Sequence, residues 1–367
     1  RPCIYSGGGV VGAGAEKELM RLADLIDAPI CASMMGLTAL PHDHPRFLGM
    51  MGMHGRYAAS KVLSMSDLII AVGTRFSDRV TGNRRNFLEQ AKIIHVDADA
   101  AELQKNVQVD YPLQLDVTHF LKRLLREMDW PVSPQVNSWQ KLLQQWRAGY
   151  PLPRSFTGLL KPQEVIMEAA RQAGSQALVV TDVGQHQMFV AQYYPICGRR
   201  NFITSGGLGA MGFGLPAAMG AALGRPGQDV LLFVGDGGFQ MTLQELGTIR
   251  EHNLPVKAII LNNGKLGMIR QWQNIIFHKH YVASDLPKGP DFVKLAAAYD
   301  IPAVRAASRE ELPEAMARLL SVPGPAVGDF QVDPDELVLP FVLPGGRPEE
   351  MLGRWQGETH LRSFSGK

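Results

Sequence analysis

Two doubly wound α/β domains, with mainly parallel sheets flanked by helices, are predicted for this chain of 367 residues. Three observations carry the prediction. Short apolar runs alternate with amphipathic stretches from Pro2 to about Leu125, the alternation stops between Met128 and Thr157, and a second alternating series follows. Apolar runs without polar alternation suit strands buried on both faces, and such strands need helices on either side to cover them.

In the first series Cys3–Ser6, Pro29–Ala32, Leu68–Val72 and Lys92–Val96 read as parallel strands, with Glu16–Ile26 and Tyr57–Met65 as helices between them. Pro131, Pro134, Pro151 and Pro153 then surround one amphipathic segment, Ser138–Ala148, which reads as an interdomain connection. The second series comprises helix Pro162–Gln172, strand Ala177–Thr181, small-residue helix Gly214–Leu223, strand Val230–Val234, helix Thr242–His252, strand Val256–Leu261, helix Asp291–Tyr299 and strand Ala326–Gln331. The implied boundaries are 1–127, a connection at 128–157, a second domain at 158–345 and a tail at 346–367.

Composition narrows the class. The chain is 46% hydrophobic and 20% charged, as expected of a globular protein. Its 37 Lys and Arg against 35 Asp and Glu leave a net charge of +2, too balanced for nucleic acid or an anionic membrane as main partner. Cys3, Cys31 and Cys197 are scattered, which speaks against a disulfide framework or zinc cage and for a reducing compartment. No apolar run is long enough for a membrane span. The opening at Arg1-Pro2, without Met or leader, leads to the expectation of a cut just before a domain, with any targeting signal upstream.

Chemistry is concentrated at two strand ends. Leu231–Val234 runs into Gly235-Asp236-Gly237, and Val256–Leu261 runs into Asn262-Asn263. In a parallel sheet both ends open on the crevice where such sheets bind ligands. Asp236 offers a carboxylate and Asn263 a carbonyl, the hard oxygens that magnesium shares with a phosphate. Gly235, Gly237 and Gly238 let a diphosphate approach the backbone. Either motif alone reads better as a turn. Together, with 24 residues and a helix between Gly237 and Asn262, they favour a metal–diphosphate site.

The spacing resembles the thiamine diphosphate signature, whose metal ligands would here be Asp236, Asn263 and the backbone carbonyl of Lys265. Three further segments narrow the resemblance: Asp182-Val183-Gly184-Gln185-His186-Gln187-Met188, the glycine-dense loop Ser205–Pro216, and Leu266-Gly267-Met268-Ile269-Arg270-Gln271-Trp272-Gln273. With them the chain resembles the catalytic subunits of the acetolactate synthase family over nearly its whole length. Arg270-Gln271-Trp272-Gln273 is the most discriminating part.

That resemblance implies roles by position. Gly184, Gln185 and His186 would contact the diphosphate, Gly209 and Gly267 would border the cofactor, and Met211 would support its bent form. Met268 would line the thiazolium side, and Trp272 would help select the second 2-oxo acid. Outside this context His186 would be an ordinary loop histidine, Met211 and Met268 would be core packing, and Trp272 could serve both core and pocket.

In the first domain Gly7-x-Gly9-x-x-Gly12 is formally a dinucleotide fingerprint, which alone would suggest NAD and a dehydrogenase. Met50–Gly55, Gly73–Gly82 and Ile93–Asp99 instead resemble the FAD-binding middle domain of the same family. Gly8, Ser33, Met34, Met53, His54, Gly73, Arg75, Arg79, Val80, Asp97, Ala98, Asp116 and Val117 would line the flavin site. Arginines suit the flavin diphosphate and Asp97 a ribose hydroxyl. Ser77 stands where the family often has Asp. His42-x-His44 lacks a third metal ligand nearby, and Arg84-Arg85 and Arg199-Arg200 read as solvated loops.

The implied reaction is a transfer of the transketolase type: pyruvate loses CO2 and joins a second pyruvate or 2-oxobutyrate, giving acetolactate or acetohydroxybutyrate for branched-chain amino acid synthesis. Thiamine diphosphate, Mg2+ and FAD are the implied cofactors, the flavin being structural. A homo-oligomer with the active site at a subunit interface, a small regulatory subunit and a bacterial-type cytoplasmic location are implied too. The family's activating glutamate belongs to a pyrimidine-binding domain that precedes the flavin domain. The chain by itself is therefore expected to be inactive. Glyoxylate carboligase, which is not expected to carry Trp272 in that motif, and a non-catalytic cofactor-binding module are the alternatives.

Overall fold

The computed structural model describes residues 1–83, 87–88, 90–128, 136–286, 289–348, 350–353 and 362–364, with the backbone alone at 136–138 and 362–364. Arg84-Arg85 lies outside the described residues. The chain forms two compact units. One holds residues 1–153, 197–200 and 339–367, the other 154–196 and 201–338.

The first unit is built on β1 (Pro2–Ser6), β2 (Ile30–Ala32), β3 (Phe47–Met50), β4 (Leu68–Val72), β5 (Lys92–Asp97) and β6 (Tyr111–Gln114). They pair in the order β3-β2-β1-β4-β5-β6, all parallel. Helices α1 (Gly8–Ala13), α2 (Glu16–Leu25), α3 (Tyr57–Met65), α4 (Asp78–Thr81), α5 (Val117–Glu127) and α6 (Val136–Gly149) complete it. The winding reverses between β1 and β4, and there the backbones touch. Gly7 N–H donates to Val72 O (2.9 Å) and Gly9 N–H to Gly73 O (3.0 Å). A Cβ on Gly9 would stand 2.6 Å from the Gly73 Cα, and one on Gly7 would overlap the Gly73 carbonyl. Two of the three fingerprint glycines thus serve strand-end packing, while Gly12 faces open space.

Both cores repay the apolar runs. In the first, Cys3, Tyr5, Cys31, Ile69, Ala71 and Ile93 pack together, and the Cys3 and Cys31 thiols lie 3.9 Å apart. The segment read as a connection is α6, and it belongs to this core. Trp139 and Leu143 are buried in it, Trp139 Nε1 donates to Pro2 O (3.1 Å), and Gln140 Nε2 to Asp27 O (2.8 Å). Arg199 is likewise no free loop residue. Its guanidinium donates to the Val11 and Gly12 carbonyls (3.0 and 3.1 Å), which end α1.

The second unit carries β7 (Leu178–Thr181), β8 (Phe202–Thr204), β9 (Val230–Gly235), β10 (Val256–Asn262), β11 (Ala303–Ala306) and β12 (Ala326–Gln331). Their order is β11-β12-β10-β9-β7-β8, again all parallel. Its helices are α7 (Pro162–Ala173), α8 (Gln185–Tyr193), α9 (Gly214–Gly224), α10 (Asp236–Met241), α11 (Leu246–Glu251), α12 (Gly267–Ile275), α13 (Phe292–Ala298) and α14 (Leu312–Ser321). The helix expected over Thr242–His252 is shorter. A helix already begins at Asp236, the chain breaks from it at Thr242, whose Oγ1 donates to Gly212 O (3.2 Å), and α11 starts only at Leu246.

Past Val338 the chain returns to the first unit. There β13 (Phe341–Val342), β14 (Met351–Gly353) and β15 (Arg362–Phe364) form a small antiparallel sheet, with Phe341, Val342 and Met351 buried. The stretch expected to close the second domain and the tail both take part in it. Strands this short leave too little sequence for a period-two signal.

Candidate functional site

The winding of the second unit reverses between β7 and β9, and the two strands end side by side. Asp182–His186 follow the first and Gly235–Gly238 the second, at the switch point where open parallel sheets bind ligands. His186 bridges them. A Cβ on Gly235 would meet its ring at 3.2 Å, and one on Gly184 would meet it at 2.9 Å.

Asp236 opens α10 and is 2% exposed. Its Oδ1 has no partner among the described residues. Burial pushes its pKa up to about 6, against the backbone N–H groups of Asp236, Gly237 and Asn263, which pull it back. A buried carboxylate oxygen left unpaired is costly unless something charged completes it. Asn263, one residue beyond β10, accepts the Lys265 N–H on its Oδ1 (3.0 Å) and keeps a second lone pair. Lys265 faces Asp285 across an antiparallel bridge whose backbone hydrogen bonds run from Leu266 N–H to Ser284 O (2.8 Å) and from Leu286 N–H to Gly264 O (2.7 Å), and its Nζ meets the Asp285 carboxylate at 2.7 Å. The donor set of Asp236, Asn263 and a backbone carbonyl is all oxygen, which fits Mg2+.

His186 is 7% exposed, and its Nε2 has no partner among the described residues. Burial lowers its pKa to about 4, against the Asp182 charge and a bond to the Asp182 backbone. The ring is therefore neutral at pH 7. Met211 reaches over the start of α10, its methyl 4.0 Å from where a Gly237 Cβ would stand; Leu266 and Leu286 close the other sides at 2.8 and 3.1 Å. Gly209, at φ +67°, lies in the exposed part of the same loop. Gly267 is boxed in by Gln185 and Asn263, whose Nδ2 would lie 2.8 Å from an added Cβ. Met268 and Trp272 are half-buried on α12.

Two residues to which the sequence assigned no role organise this ground. The buried Asp182 carboxylate accepts the N–H groups of Val183 (2.7 Å), Gly212 (3.2 Å) and Gly214 (2.7 Å). Gln271, 1% exposed, accepts from Gln185 Nε2 and from the Val338 N–H, both at 2.8 Å. Only their position after a strand or within a motif could have pointed to them, because side-chain burial is not written locally.

The residues expected at the flavin site fall mostly at the carboxyl ends of the first sheet. Gly8, Ser33, Gly73 and Asp97 lie at the ends of β1, β2, β4 and β5, and Met34 follows Ser33. Arg79 O accepts the Met53 N–H (2.7 Å), which ties Arg79 and Val80 to the Met53–His54 turn. His54 stacks on Phe341 with centroids 5.1 Å apart. Arg75 and Arg79 are exposed, the latter paired with Asp78 at 2.6 Å. Asp97 Oδ1 accepts the Asp99 N–H (2.9 Å), with Ala98 between. Asp116 caps α5 through the His119 N–H (3.0 Å), and Val117 is buried. At Val117 a ligand would meet backbone more readily than side chain. Ser77 caps α4 by accepting the Arg79 N–H. His42 lies beside Arg56 and His44 accepts the Arg46 N–H; among the described residues no cluster of three metal-ligating side chains occurs. Nor is any described helix long and apolar enough to cross a membrane.

Comparisons with known proteins match this arrangement. The family model for "Thiamine pyrophosphate enzyme, central domain" covers residues 1–124, and that for "Thiamine pyrophosphate enzyme, C-terminal TPP binding domain" covers residues 182–330. The chain is 40% identical over 362 residues to a probable acetolactate synthase large subunit of Methanococcus aeolicus, covering 95% of this chain and 60% of that one. It is 38% identical over 373 residues to the acetolactate synthase isozyme 3 large subunit of Escherichia coli K12, covering 98% and 63%. To the acetolactate synthase of Mycobacterium leprae it is 41% identical over 361 residues, covering 96% and 58%. The chain thus spans about three fifths of the length of these relatives. Matched in both its units to domains of the thiamine pyrophosphate enzymes, the chain belongs to that group, and along nearly its whole length it is similar to acetolactate synthase large subunits.

Proposed function

We propose that the chain supplies the flavin-binding and diphosphate-binding domains of an enzyme that condenses pyruvate with a second 2-oxo acid, pyruvate or 2-oxobutyrate, with loss of CO2. The observation that carries the reading is the buried Asp236 carboxylate at the switch point, with one oxygen unpaired among the described residues and the Asn263 N–H bonded to the carboxylate. Thiamine diphosphate held there with Mg2+ would supply an electron sink for decarboxylation.

The protein's part is to hold and to shield. Asp236, Asn263 and the Lys265 carbonyl would take the metal. Gly184, Gln185 and His186, at the start of α8, would meet the diphosphate, where free helix N–H groups favour an anion. Met211 and Met268 give apolar surface for the rings, and Trp272 sets the room left for the acceptor. FAD fits the switch point of the first unit as a structural group, since the reaction involves no net redox change. The "large subunit" of the relatives' names supports a small regulatory partner. A homo-oligomer with shared active sites belongs to the same reading.

Binding tests it. The purified chain should melt higher with thiamine diphosphate only when Mg2+ is present, and should carry flavin absorbance or be stabilised by FAD. Stabilisation by NAD but not FAD, or indifference to Mg2+, would overturn it.

A further inference from the structure

The glycine-dense loop before α9 is exposed from Gly207 to Met211, with Leu208 98% exposed, and then plunges inward at Gly212. What draws it in is Asp182. This side chain is 0% exposed, and its two oxygens divide the work. Oδ1 accepts the N–H groups of Val183 and Gly212, and Oδ2 that of Gly214. Thr242 Oγ1 donates to the Gly212 carbonyl (3.2 Å). The same Oδ1 abuts Gly238, where a Cβ would stand only 2.6 Å away. One carboxylate therefore joins the end of β7, the two ends of the inward turn and the helix that Asp236 begins. Met211, the residue just before Gly212, is thereby fixed over Gly237.

We propose that Asp182 is a positioning residue for this site. By holding Gly212 and Gly214 it presets Met211 against Gly237, and so shapes the surface that receives the thiamine rings, separately from the metal and diphosphate anchor at Asp236 and Asn263. The inference rests on the thiamine diphosphate reading above. It asks nothing of Asp182 as a ligand. Buried hydrogen bonds to a charged acceptor are strong, and their donors are costly to orphan. Asparagine has the same shape but one acceptor oxygen, so it turns an N–H2 toward one of the two sets of donors.

The test compares Asp182→Asn with the parent chain, using Mg2+ with thiamine diphosphate and Mg2+ with inorganic diphosphate. Thiamine diphosphate affinity should fall by roughly tenfold to a hundredfold, while inorganic diphosphate affinity stays within about twofold, since Asp236 and Asn263 are untouched. Equal losses for both ligands would mean general damage and would overturn the proposal, as would no loss. If the variant does not fold, hydrogen exchange in the parent chain decides. The Gly212 and Gly214 amides should be protected like those of β7, and exchange as fast as at Gly207–Ala210 would overturn the clamp. If the parent chain binds neither ligand, the thiamine reading fails and the positioning role with it. The exchange pattern then still shows whether the clamp exists.

Discussion

Gln185 and Gln271 share a buried hydrogen bond, Nε2 to Oε1 at 2.8 Å, between the segment expected to meet the diphosphate and the helix that carries Trp272. The pair also grips the chain beyond β12. Gln271 accepts the Val338 N–H and donates to the Val338 carbonyl (3.2 Å), and Gln185 donates to the Glu336 carbonyl (3.0 Å). Three pieces of chain distant in sequence are held by two amides.

Gln271→Leu should be costly for that reason. It orphans the Val338 N–H and removes the shared acceptor of Gln185, at about 1–3 kcal/mol for each buried group left unpaired. Urea denaturation should show a loss of several kcal/mol, and thiamine diphosphate binding should weaken with it. An unchanged midpoint would show the network to be dispensable.

Asp236→Asn should separate function from stability. The folded pKa of Asp236, about 6, lies above its ordinary value of 3.8, so ionisation opposes folding of the ligand-free chain. The folded state binds more protons between these values, and stability falls as pH rises from about 4 to 6. At pH 7 the variant should be more stable than the parent by on the order of 3 kcal/mol, with the gap closing below pH 4. Mg2+-dependent stabilisation by thiamine diphosphate should be lost. Thermal melts across pH, with and without ligand, check both statements.

His186 has the opposite sign in an overlapping window. Its folded pKa, about 4, lies below the ordinary 6.5, so the unfolded chain takes the proton first and stability is lost as pH falls from about 6.5 to 4. The two effects partly cancel in the parent chain. His186→Gln should unmask the Asp236 effect, making the protein gain stability as pH drops from 6 to 4. NMR titration of the imidazole should place its own midpoint well below 6.

The glycines of the first motif should differ sharply. Gly7→Ala drives a methyl into the Gly73 carbonyl and should cost about 3 kcal/mol or more. Gly12→Ala places its methyl in open space within α1 and should stabilise by roughly 0.5–1 kcal/mol. Thermal melts of the two variants would show whether the motif serves packing at the switch point, as the structure indicates.

Much of the fold was legible in the sequence because strands covered on both faces are written as continuous apolar runs. Leu68–Val72, Tyr57–Met65 and Ala326–Gln331 lie where the pattern put them. Phe47–Met50, Tyr111–Gln114 and the three short strands after Pro340 were not legible, being brief or exposed at an edge. The amphipathic segment Ser138–Ala148, which lies within the helix Val136–Gly149, was legible, but its allegiance was not. An amphipathic helix states that it has a buried face, not which core will bury it.

The metal-site candidates show the same division. Gly235-Asp236-Gly237 and Asn262-Asn263 could be paired from spacing alone, because consecutive parallel strands joined by a helical crossover must end on the same edge. Asp182 and Gln271 stood in quoted motifs with nothing to distinguish them. Their importance comes from the amides that the fold brings to them from 30 or more residues away. Sequence determined which chemical groups are present and which strand ends carry them. Tertiary structure alone decided which of those groups are buried, which oxygen is left unpaired and which side chains hold the loops, since burial and hydrogen-bond partners depend on distant chain.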